Sequence, residues 1–115
     1  MKKIDFSELQ RAREGFAAEV LLEEGAVKVR RIELAHGARI PPCQMQEDVV
    51  FVVVAGRVTF RAGKEEAVVA APGAVFIPGG ATTRSMEAHE ATLVLAILCR
   101  REAGGSAGNE GSTQP

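Results

Sequence analysis

The chain has no tryptophan and no tyrosine, and its only aromatic residues are 5 phenylalanines. Platforms that stack bases or sugars draw on such rings, so a surface of that kind has little to be built from. An excess of either charge is also missing. The 14 Lys and Arg stand against 15 Asp and Glu, a formal net charge of −1. A protein that binds the phosphate backbone normally carries a clear basic surplus, so nucleic acid is not an expected partner. No uninterrupted apolar run approaches the ~20 residues that span a bilayer. The start, Met1 to Gln10, lacks the apolar stretch of a secretory signal. No membrane partner is expected either. Cysteine is scarce: Cys43 and Cys99 are too few for a disulfide scaffold and suit a reducing, cytoplasmic compartment.

What is present is 115 residues with 46% hydrophobic content, enough to bury one real core. Near the start, Ser7 and Gln10 have capping-box spacing, Glu8 falls in the first turn, and Gly15 is a stop. This predicts a short N-terminal helix, with an irregular arm lying across a barrel as the alternative. From Ala17 the pattern turns to strands. AAEVLL and VKVRRIEL flank the turn EEGA. In the second, Val27 and Val29 share one phase while Ile32 and Leu34 occupy the other, which predicts a bulge near Arg30 and Arg31. Pro41 and Pro42 hold the residues before them extended.

VVFVVVA, over 49–55, is apolar throughout and reads as a strand buried on both faces. RVTFRA alternates cleanly, GKEE turns into AVVAA, and Pro72-Gly73 turns into AVFIP. After the loop opened by Gly79-Gly80, TLVLAILC is the last strand. About eight short strands, with turn signals every 8–12 residues and no second helix pattern, predict an all-β sandwich or barrel. The segment 103–115 is rich in Gly and Ser, has no apolar side chain larger than alanine, and reads as a disordered tail. The expected organisation is one barrel domain over 1–102, with its core over about 18–99, and that tail.

Two glycine-framed segments sharpen the fold. The first runs Gly37, five residues, Cys43, Gln44, Met45, three residues, Val49, six residues, Gly56. The second runs Gly73-Ala-Val-Phe-Ile-Pro78-Gly-Gly80-Ala-Thr-Thr83. These frames resemble the cupin superfamily, whose motifs are G-x5-H-x-H-x3-4-E-x6-G and G-x5-P-x-G-x2-H-x3-N. The resemblance covers about residues 18–99 and implies a single-domain, double-stranded β-helix barrel. It also implies four metal-ligand positions, and this chain fills them with Cys43, Met45, Val49 and Thr83. Its second segment has one residue fewer before Pro78 than the family pattern, and Glu87 stands where the asparagine would be.

Valine offers no lone pair, and a thioether is a poor ligand for hard metals. Cys43 and Met45, two apart, share the face that in a cupin is the barrel interior. They read as apolar packing in a pocket vacated by histidines; the alternative is a soft Cu(I) or Zn site, which Cys99 could complete only by turning inward. Glu47 and Asp48 fall in an expected loop and read as solvated, although an extended chain would carry Glu47 into the pocket. His36 and His89 sit in turns; the sharper alternative makes one of them a general base. Thr82, Thr83 and Ser85 put hydroxyls at the barrel mouth, and hydroxyls there usually bond locally. Arg84 reads as a solvated surface residue, with bidentate capture of a carboxylate as its alternative.

The expected function is a metal-free, cofactor-free cupin that binds an unidentified small, mostly apolar molecule as a sensor or accessory protein. Its expected pocket is Cys43, Met45, Val49, Phe51 and Thr83. The alternative is an enzyme with a rearranged metal or histidine-based site using Cys43, Glu47 and His36 or His89. A homodimer paired through its sheets is also expected, because VVFVVVA gives enough apolar surface.

Overall fold

Alternation along each strand, with one side chain in and the next out, organises this chain into two facing antiparallel sheets. The computed structural model describes residues 1–5, 14–80 and 83–100. Among them are nine strands and no helix: β1 (Phe16–Glu24), β2 (Val27–Leu34), β3 (Arg39–Gln44), β4 (Asp48–Ala55), β5 (Arg57–Ala62), β6 (Glu65–Ala70), β7 (Gly73–Ile77), β8 (Thr83–Ala88) and β9 (Thr92–Cys99). The predicted helix around Ser7 and Gln10, Thr82 and the 103–115 tail lie outside the described residues. With no helix there, none is long and apolar enough to cross a membrane, which says nothing about strands.

The five-stranded sheet has the order β1-β2-β9-β4-β7, and the four-stranded sheet β3-β8-β5-β6. The all-β expectation holds, and the strands around it divide cleanly by phase. Val49, Phe51 and Val53 of β4 are buried between the sheets with Val94, Ala96 and Leu98 of β9. Val58 and Phe60 of β5 meet them from the other sheet. The run VVFVVVA is therefore not equally buried on both faces: Val54 is exposed, as is Phe76 on the neighbouring edge strand β7.

Two local expectations need correction. The register of β2 against β9 runs unbroken from Val27 to Leu34. The irregularity lies in the partner, where Val20 pairs Arg30 and Leu22 pairs Val29, leaving Leu21 as the extra residue of β1. What reads as a phase flip in β2 is an arginine occupying an inward position. Second, the segment Thr83–Ala88 is a strand, not a loop; its polar sequence hides an inward row of Arg84, Met86 and Ala88. The prolines fit the same picture. Pro41 and Pro42 bulge out between Ile40 and Cys43 on β3, an edge strand where a missing N–H does least harm.

Candidate functional site

Between the sheets lies a cavity of about 200 Å³. Val49, Phe51, Phe60, Ile77, Ala96 and Leu98 form its apolar body. Phe51 and Phe60 stack there with ring centroids 5.1 Å apart, so the largest side chains of the two sheets meet at one point. Cys43 and Phe16 also line the cavity and are exposed, which puts its mouth beside them. Met45 is half-buried against the core.

Four of the five residues proposed from sequence, Cys43, Met45, Val49 and Phe51, thus meet around one space. Thr83 does not. It is exposed and outside the lining, and its neighbour Arg84 lines the cavity instead. The reason is register: Cys43 pairs directly with Arg84 across β3 and β8, and Gln44 with Thr83. In-register strands project facing residues to the same side, so the inward phase of β8 is the even-numbered one.

Arg84 is 4% exposed, contrary to the solvated role expected for it. Its Nη2 donates to the backbone carbonyls of Glu47 and Pro78, both at 2.8 Å. Glu47 belongs to the loop before β4 and Pro78 to the loop after β7, so one guanidinium joins the two glycine-framed segments. Further bonds lace the same loops. The Gly79 N–H donates to Asp48 Oδ1 at 2.7 Å, and the Gly80 N–H to the Met45 carbonyl at 3.0 Å. Gly79 has to be glycine, since a Cβ there would sit 2.0 Å from the Gln46 carbonyl oxygen. Burial pulls the Arg84 pKa down, opposed by Cys43, Asp48 and Glu47; a guanidinium remains charged at neutral pH regardless.

The other polar candidates stand elsewhere. Among the described residues, Glu47, His36 and His89 are not in the cavity lining. His36 is exposed in its turn, and His89 Nε2 shares a 2.5 Å hydrogen bond with Thr59 Oγ1. Cys99 is exposed at the end of β9, away from Cys43's cavity. No three His, Cys, Asp or Glu among the described residues cluster so as to hold a metal ion. The donor set at the ligand positions implied by the cupin resemblance does not fit a divalent cation: Val49 has no donor, and a cationic guanidinium lines the same space.

Sequence reasoning also missed Arg30. It lines the cavity from β2, opposite the sheet that supplies Arg84. A readable signal existed: its position lies in phase with Ile32 and Leu34, the buried apolar residues of that strand.

No protein-family profile and no curated protein matches the chain. Solved structures do. A conserved protein of unknown function from Streptococcus pyogenes superposes with a TM-score of 0.77 at 19% identity, covering 88% of this chain and 89% of that one. A cupin superfamily protein from Desulfitobacterium hafniense gives 0.76 at 13% identity, over 87% and 92%. An RmlC-like cupin from Desulfovibrio desulfuricans gives 0.71 at 23% identity, over 86% and 96%. The chain has the cupin fold. At these identities the likeness speaks for the architecture alone, and the cupin cavity here must be interpreted from its own residues.

Proposed function

We propose that this cupin-fold chain is a metal-free binder of a small, mainly apolar molecule, serving as a sensor or accessory component. The observation that carries the reading is the cavity of about 200 Å³ with its apolar body. Ligand sites are typically concave and mostly apolar, with a few polar groups that set orientation. Here those groups are Arg84, Arg30, Ser85 and the Cys43 thiol. An apolar cavity of ~150 Å³ accepts a benzene ring, so this one has room for a molecule of that order.

The test is a titration of isotope-labelled protein with benzyl alcohol, a small neutral probe. Amide and methyl shifts should move at Met45, Phe51, Phe60 and Ala96. Ala96 is buried in the wall, and Ala96→Leu should fill the space and abolish those shifts. Unchanged spectra, or equal shifts in the filled variant, would remove the reading. Stoichiometric Fe, Mn, Ni or Zn in protein purified without a histidine tag would remove its metal-free part.

We also propose that two copies pair through the outer face of the five-stranded sheet, where Val54 and Phe76 stay exposed. Light scattering on wild type and Phe76→Lys checks this, with a dimer expected only for the former.

A further inference from the structure

Two cations face an apolar cavity that offers them no anion. Arg84 and Arg30 line it from opposite sheets, and among the described residues the lining has no Asp or Glu. Arg84 Nη2 is spent on two carbonyls, but its Nε and Nη1 are buried without a hydrogen-bond partner. The Nε of Arg30 is buried and unpartnered as well. Nearby acids do not resolve this. The Glu47 side chain is outside the lining, and Asp48 accepts the Gly79 N–H. A buried donor without a partner is costly, more so when it carries charge, and such groups in folded proteins call for an acceptor.

We infer that the acceptor is the carboxylate of the ligand: the cavity binds a compact monocarboxylate whose apolar body packs on Phe51 and Phe60. This deepens the small-molecule reading above and rests on it. The chemistry selects a carboxylate over a phosphate. Arginine recognises both, but a phosphate presents more oxygens and a higher charge than this wall can match. Among the described residues, its side-chain donors beyond the two guanidinium groups are Ser85 and Cys43. Size agrees too: about 200 Å³ exceeds the ~150 Å³ that houses benzene by about the bulk of a carboxylate. The body of the acid would lie among Val49, Ile77 and Leu98, with its head toward the arginines.

The experiment compares benzoate with benzyl alcohol, its neutral counterpart of nearly equal shape, and with inorganic phosphate, each titrated into the full chain by calorimetry and NMR. Benzoate should bind at least tenfold tighter than benzyl alcohol, and phosphate should not displace it. Arg84→Met strips two carbonyls of their donor and is prone to misfold. Arg30→Met is the safer variant, because among the described residues no hydrogen bond of the Arg30 side chain is seen. It should weaken benzoate at least tenfold and so erase most of the preference for benzoate over benzyl alcohol. Equal affinity of wild type for benzoate and benzyl alcohol would overturn the carboxylate inference while leaving the apolar pocket standing. Binding of neither overturns both, and binding of phosphate without benzoate overturns the monocarboxylate.

Discussion

Two pairs of arginines, on opposite faces of the four-stranded sheet or facing it, meet opposite fates. Arg39 and Arg61 lie on the outside and share Glu87: Arg39 Nη2 reaches one carboxylate oxygen at 3.2 Å and Arg61 Nη1 the other at 3.3 Å. Arg61 Nε also donates to Glu66 at 3.1 Å. Arg84 is only three residues from Glu87 on the same strand, yet it faces the interior and finds backbone carbonyls in place of a carboxylate. Arg30, reaching the same cavity from β2, has an unpartnered Nε. The difference teaches that on this sheet the outward arginines find a carboxylate, while the inward Arg84 finds only backbone carbonyls as hydrogen-bond partners. Exposed pairs contribute little to stability. Buried guanidinium nitrogens without a hydrogen-bond partner are expensive, and a fold that keeps them has reason to.

The largest effect should come from removing the inner cation. Arg84→Ala leaves the Glu47 and Pro78 carbonyls without their donor, and we expect a loss of about 2–4 kcal/mol in urea unfolding. A variant as stable as the parent would mean that the guanidinium does not hold the two loops together. Gly79→Ala attacks the same junction without touching charge. Its Cβ meets backbone at 2.0 Å, so the expected loss is about 1–3 kcal/mol. A neutral result would show that the loop before β4 moves aside at little cost.

The outer pair is predicted to act mainly through pH. Partial desolvation pushes the Glu87 carboxyl up, but Arg39 and Arg61 outweigh it and hold its pKa below the usual carboxylate range. A carboxyl with a depressed folded-state pKa stabilises fully above its unfolded value, near ~4.3, and loses that stabilisation as pH falls through the folded value. Glu87→Gln should therefore lower the urea midpoint slightly at pH 7, with the gap to wild type closing in acid. A gap that stays constant with pH would assign the effect to packing. Smallest of all, Thr83→Ala should stay within about 0.5 kcal/mol of wild type, as exposed sites away from special contacts do. It should also leave benzoate titrations unchanged. Weaker benzoate binding in Thr83→Ala would put the outward phase of β8 back at the cavity.

The same contrast explains what could be read in advance. Three strands were legible to the residue: Val27–Leu34, Arg57–Ala62 and Thr92–Cys99 have the expected bounds. Cys43, Met45, Val49 and Phe51 were legible as a group because the glycine frame sets their spacing and alternation sets their side. Arg84 and Thr83 were misassigned because spacing along one segment does not say which phase of β8 faces inward; the pairing of Cys43 with Arg84 sets it, and a one-residue slip exchanges the faces. Arg30 was read as part of a bulge for a related reason: a charge at an apolar phase looks like a break in the pattern, when it was a cation lining a cavity.

By itself, the sequence determined an all-β chain of short strands, the turns between them, and a glycine frame resembling the cupin motifs, with Cys43, Met45 and Val49 at positions where those motifs hold metal ligands. These follow from local rules, since periodicity, turn chemistry and donor atoms belong to residues close in the chain. The tertiary structure alone decided that Arg30 and Arg84 face one cavity, and that Thr83 does not. Alternation says which residues of a strand share a face, but only pairing with a neighbouring strand says which face is inside. For β8 that choice was made by β3, some 40 residues away, through the pairing of Cys43 with Arg84.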